Sequence, residues 1–151
     1  MSETNETELR ERLEECRQKI LKIEARNGEI SALLKDAESG ISYVQAEAQK
    51  WDYAKSECFD CVRSGLSKLN PRSSFRETYL QRIRSVLDGY ESSCITETYH
   101  DLQRDIYACA DELEDELASN QTRLQELREE MHDYTKLLET TQREMATWEN
   151  Q

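Results

Sequence analysis

Glycine and proline are scarce, with four glycines and one proline in 151 residues. The chain therefore has few places to turn. Most other residues are Glu, Leu, Arg, Ala, Ser, Gln and Lys, which form helices readily, so few and long helices are expected. Apolar residues make up only 36% and charged residues 34%, too polar a balance to wrap a broad globular core but suited to an extended helical protein. No apolar run approaches the roughly 20 residues of a membrane span, so no membrane insertion is expected. The N-terminal MSETNETELRER has neither the basic start nor the apolar stretch of a secretory signal. The expected location is cytoplasmic, with export by a signal-peptide-independent route left open. Positive charge is short as well: 20 basic residues face 32 acidic ones, a net −12. Duplex binding draws affinity from Lys and Arg neutralising phosphates, so nucleic acid is not an expected partner, and the same charge argues against anionic membrane surfaces. Glycine-rich phosphate loops, nucleophile elbows and zinc-protease motifs are missing, so neither enzymatic activity nor a cofactor is expected.

Five cysteines, an odd number without a signal peptide, read as free thiols. Cys58 and Cys61, in the order Cys-Phe-Asp-Cys, have the spacing of a zinc half-site or a redox pair. In an antiparallel hairpin Cys16, Cys94, Cys109, His100 and His132 do not converge on them, so no metal site is expected. The carboxylates of Glu112, Glu114, Asp115 and Glu116 read as a solvated helix face.

The only strong breaker cluster is Leu69-Asn70-Pro71-Arg72-Ser73-Ser74, near the midpoint. Ser74 and Glu77 have the spacing of a capping box. A hairpin follows: helix 1 over about 6–68, a turn over about 69–74 and helix 2 over about 75–149. In helix 1 apolar residues recur in steps of four and three, from Leu9, Leu13, Cys16, Ile20 and Ile23 through Ile30, Leu34, Ala37, Ile41, Val44 and Ala48 to Trp51. That is a heptad seam. It weakens at Lys55, Cys58, Val62 and Leu69. In helix 2 the expected seam is Phe75, Tyr79, Ile83, Val86 and Tyr90, then Tyr99, Leu102, Ile106, Cys109 and Leu113. An inserted four-residue step to Leu117 reads as a stutter, after which Asn120, Leu124, Leu127, Met131, Tyr134, Leu138, Met145 and Trp148 continue. The stretch around Gly89 is the weakest part of helix 2, where it is expected to bend or break. Asn27 and Asn120, the asparagines of the two seams, average to position 73.5, inside the turn. An antiparallel fold brings them face to face, where paired buried amides fix register. The fold class is all-α, a long antiparallel coiled-coil-like hairpin forming a single domain over 1–151.

Leu21, Leu33, Tyr43, Leu66, Leu80, Leu87, Ile95 and Leu137 widen the apolar surface beyond what one partner helix covers. A homodimer or another protein is expected to bury the remainder. Trp51 and Trp148 read as core side chains, with contact to a partner helix as the alternative.

Two long helices around a central turn, with Trp51 followed after seven residues by Phe59-Asp60, resemble the helical accessory proteins encoded beside LXG toxins of Gram-positive type VII secretion, relatives of the WxG proteins. The glycine of W-x-G is missing, since Asp52 and Tyr53 follow Trp51. The resemblance implies a non-enzymatic targeting factor or chaperone that binds the helical N-terminal region of an LXG toxin, together with a second small helical accessory protein. It also implies partner-binding roles for Trp51 and Phe59. Tyr107 and Asp111 match the Tyr-x-x-x-Asp spacing of that family's export signal. The alternative is a self-associating coiled-coil scaffold without a secreted client.

Overall fold

A computed structural model describes residues 2–68 and 74–151, and its described residues form three α-helices and no strand. Helix α1 spans Ser2–Leu66, α2 spans Ser74–Leu87 and α3 spans Tyr90–Glu149. The turn expected at 69–74 lies outside the described residues, except that α2 begins at Ser74; the Ser74 capping contact lies outside them too. Helix α1 ends as Ser67 N–H bonds Arg63 O at 3.0 Å and the Ser67 hydroxyl bonds Ser64 O at 2.6 Å. These contacts satisfy carbonyls that a helix end leaves without intrahelical partners.

The second helix expected from the sequence is interrupted at Asp88–Gly89, at the weak point expected around Gly89, and so forms α2 and α3. The Asp88 amide still bonds Arg84 O at 2.9 Å, the Gly89 amide turns to Val86 O at 3.3 Å, and Ser93 N–H bonds Gly89 O at 3.0 Å to start α3. A Cβ at position 89 would lie 2.5 Å from Ser85 O. Glycine is what lets the backbone pass this close.

The chain divides into two units of nearly equal length. The first comprises Met1–Leu34 and Asp111–Gln151. There the N-terminal half of α1 pairs antiparallel with the C-terminal part of α3: Glu6 meets Gln142 at 3.1 Å, Glu24 meets Arg128 at 3.2 Å and Arg26 meets Glu116 at 2.8 Å. Its core is the heptad seam, with Leu9, Leu13, Cys16, Ile30, Leu124 and Leu127 buried. Ile30 and Leu127 are completely enclosed.

The second unit, Lys35–Ala110, packs the C-terminal half of α1 against α2 and the start of α3, again in antiparallel order. Ile106 Cδ1 lies 3.5 Å from where a Cβ on Gly40 would stand, and the Arg84 guanidinium lies 5.0 Å from the centroid of the Phe59 ring. Val44 is the only buried apolar residue described in this unit.

Three stretches of the seam depart from expectation. In α1 the inward positions run Trp51, Lys55, Phe59, Val62 and Leu66, while Cys58 is exposed. The larger Phe59 takes the place expected for Cys58, through two successive four-residue steps. In α2 Arg76, Leu80, Ile83 and Leu87 turn inward, whereas Phe75, Tyr79 and Val86 are exposed, as is Tyr90 at the start of α3. In α3 the inward positions are Tyr99, Gln103, Ile106, Ala110, Leu113, Leu117 and Asn120, with Leu102 and Cys109 exposed. The four-three alternation is unbroken there, so the expected stutter between Leu113 and Leu117 is absent. Trp148 is exposed rather than part of the seam.

Candidate partner-binding faces

The two seam asparagines meet: Asn120 Nδ2 donates to Asn27 Oδ1 at 3.0 Å. Beside them Arg26 grips Glu116 with two hydrogen bonds, Nε to Oε1 at 2.8 Å and Nη2 to Oε2 at 3.0 Å, and reaches Glu29 at 3.1 Å. The bond from Arg26 holds the Glu116 carboxyl below the usual carboxylate range, and Glu116 in turn raises the Arg26 guanidinium. Further towards the N-terminus on the same seam Cys16 is buried, and its thiol donates to Glu130 at 3.9 Å. Desolvation pushes that thiol up, with nearby Glu130 adding to the shift, which keeps it protonated and unreactive. These groups are matched among themselves. They pair α1 with α3 within the first unit.

The second unit holds the unmatched groups. Among the described residues, the buried side-chain polar atoms without a hydrogen-bond partner are Trp51 Nε1, Arg76 Nε and Ser92 Oγ, all in this unit. An unsatisfied buried donor or acceptor costs about 1–3 kcal/mol, so the second unit carries a polar deficit that the first does not. Nine of the thirteen exposed large apolar residues are also here: Tyr43, Tyr53, Phe75, Tyr79, Val86, Tyr90, Ile95, Leu102 and Tyr107. Ile95, Leu102 and Cys109 recur at seven-residue intervals along α3, one position behind the inward residues Thr96, Gln103 and Ala110. A second apolar stripe thus runs beside the internal seam, facing solvent.

Trp51 and Phe59 lie half-buried on the inward side of α1. The indole N–H is enclosed without an acceptor, and the Phe59 ring is covered by Arg84. They are interior side chains of the second unit as much as candidate contacts. Tyr107 and Asp111 are both exposed on α3, one helical turn apart. Sequence reasoning did not single out the stripe of Ile95, Leu102 and Cys109 because it assigned Leu102 and Cys109 to the internal seam. The heptad spacing itself was the available signal.

All five cysteines are free: Cys58, Cys61 and Cys109 exposed, Cys94 half-buried, Cys16 buried. No group of three or more His, Cys, Asp or Glu side chains arranged to hold a metal occurs among the described residues. Two shallow clefts of about 360 and 300 Å³ share Lys55, Leu87 and Asp88 near the α2–α3 break. Ser92 lines the first of these clefts and Phe59 with Arg84 the second. Among the described residues no helix is long and apolar enough to cross a membrane. No protein-family model, curated protein or solved structure matches the chain.

Proposed function

We propose that this chain is a non-enzymatic interaction protein, a cytoplasmic targeting factor or chaperone that packs against the helical N-terminal region of an LXG-type toxin and assists its type VII export. The observation that carries the interaction role is the solvent-facing heptad stripe of Ile95, Leu102 and Cys109 in a unit that also exposes Tyr43, Tyr53 and Tyr107. A helix with apolar residues every seven positions is the natural counterpart of such a stripe. The toxin as client comes from the resemblance at Trp51 and Phe59-Asp60. Burying the client's own apolar seam would keep it soluble, and the composite surface would include Tyr107 and Asp111.

The reading is tested by co-purifying the tagged protein with its cognate toxin, using Ile95→Asp with Leu102→Asp. Both residues are exposed, so helicity should be retained while recovery of the toxin falls at least tenfold. Undiminished recovery would remove the stripe from the interface. Recovery of the protein only with further copies of itself would favour the scaffold reading. Trp51→Ala and Phe59→Ala are weaker tests, since both side chains support the fold and a loss of binding would be confounded with a loss of stability.

A further inference from the structure

The net charge of −12 conceals a segregated distribution. Over the described residues 61–68 and 75–87, Arg63, Lys68, Arg76, Arg82 and Arg84 stand against the single acid Glu77, a local net of +4. The rest of the chain then carries −16. Elsewhere in the second unit Lys50, Lys55 and Arg104 are paired with carboxylates. Among the described residues none of the five basic side chains at the end of α1 and in α2 has an acidic group within ion-pair distance. The Arg76 Nε donor is moreover buried without a partner. The Arg84–Phe59 contact sets α2 alongside the end of α1, so these cations share one end of the second unit.

The same segment exposes apolar surface. Phe75 is 60% exposed, Tyr79 41% and Val86 73%, and they share one flank of α2 with Arg82. The Phe75 and Tyr79 rings lie 5.6 Å apart. These residues stand out from the helix, and neither cleft of the region includes them. Protein hot spots favour packed pockets, and a nucleic-acid backbone would use the cations but leave Phe75 and Val86 in water. A bilayer interface deforms around a protruding side chain, takes aliphatic and aromatic groups at the headgroup boundary, and presents phosphates to arginine.

We propose that the end of α1 and helix α2 form a peripheral docking surface for an anionic lipid bilayer, with Lys68 and Arg82 engaging headgroup phosphates and Phe75 and Val86 entering the interface. Each basic residue near such a surface strengthens binding about fivefold, falling off within a Debye length of roughly 8 Å. Attachment is reversible, dependent on acidic lipid and lost at high salt. Among the described residues no helix is long and apolar enough to insert across the membrane. This surface is distinct from the α3 stripe of Ile95, Leu102 and Cys109, and it stands or falls independently of the toxin.

The test is co-sedimentation of the full chain with vesicles of phosphatidylcholine containing about 30% phosphatidylglycerol, against pure phosphatidylcholine. Binding should require the anionic lipid, fall at least twentyfold in Lys68→Glu/Arg82→Glu and about tenfold in Phe75→Ser/Val86→Ser, and vanish in about 0.5 M salt. Lys22→Glu/Lys136→Glu changes net charge equally in the first unit and should bind as the unaltered chain does. Circular dichroism on each variant separates lost docking from lost folding. Absence of binding, equal binding to neutral vesicles, or an equal loss in the Lys22/Lys136 control would overturn the proposal. Capture of poly-L-glutamate or a single-stranded oligonucleotide by these residues, without vesicle binding, would overturn it in favour of an acidic protein or a nucleic acid.

Discussion

The two units are built from the same helices yet solve the packing problem differently. The first carries ten basic and twenty acidic residues, the second ten and twelve, so nearly all of the net negative charge belongs to the first. Seven of the first unit's basic side chains, Arg10, Arg12, Arg17, Arg26, Arg123, Arg128 and Arg143, are nonetheless paired with carboxylates. Its buried polar atoms are satisfied among the described residues, and its seam encloses six of the seven buried apolar side chains. Among its described residues the second unit encloses Val44 alone, leaves three buried polar atoms unmatched and exposes Tyr43, Tyr53, Phe75, Tyr79, Tyr90 and Tyr107. Local stability follows enclosed apolar contact, so amide exchange should be slowest around Ile30 and Leu127 and fastest around Gly89. The first unit thus encloses most of the buried apolar side chains, and the second leaves most of the exposed large ones.

The largest way to break that contrast is truncation at its strongest point. Leu127→Ala or Ile30→Ala should cost about 2–5 kcal/mol in chemical denaturation, because each removes a fully enclosed side chain. Val86→Ala, a change at a 73% exposed position, should stay within about 0.5 kcal/mol. Similar costs for the two would refute the asymmetry. Next in size, Gly89→Ala should destabilise by about 1–3 kcal/mol, since the added methyl meets Ser85 O at 2.5 Å. Gly28→Ala, where nothing lies within 4 Å, should instead stabilise by about 0.5–1 kcal/mol, and a thermal melt of the pair reads the opposite signs.

The asparagine pair gives a sharper prediction about specificity. Asn27→Leu alone should cost about 1–3 kcal/mol by stranding the Asn120 amide. With Asn120→Leu added, stability should recover while register loosens, visible as a broadened distribution in cross-linking between α1 and α3. The smallest effect concerns pH. Glu116 is depressed in the folded chain, so its contribution is fully present above the ordinary carboxylate pKa of about 4.3 and is lost as pH falls through the lower folded value. The stability difference between the unaltered chain and Glu116→Gln should therefore be constant near neutrality and shrink below about pH 4. A difference unchanged down to pH 2 would show that the Arg26–Glu116 bond contributes little.

Much of the first unit was legible because its signals agree. Leu9 through Leu34 keep a regular heptad, Leu113 through Leu138 keep another, and one asparagine in each marks the register. In the second unit two apolar sets lie one residue apart, and composition does not choose between them. Phe75, Tyr79 and Val86 compete with Leu80 and Leu87 while sharing Ile83, and Leu102 and Cys109 compete with Gln103 and Ala110 while sharing Ile106. Choosing the more apolar residue at each step requires a stutter between Leu113 and Leu117. Along α3, however, the inward positions keep a steady four-three alternation from Tyr99 to Asn120. Gln103 and Ala110 are turned inward by that alternation rather than by their own hydrophobicity. Phe59 takes the inward position in place of Cys58, the larger apolar side chain gaining more from burial.

The amino-acid sequence by itself determined the helices, their antiparallel order, the weak point at Gly89 and the Asn27–Asn120 register, because helix propensity, breaker placement and heptad period are local or additive along the chain. Which of two adjacent apolar stripes is buried, which cations remain without a carboxylate and which polar atoms are enclosed without a partner were decided only by the tertiary structure. Those outcomes depend on rotational phase between packed helices, a quantity set cooperatively across many residues and carried by none of them singly.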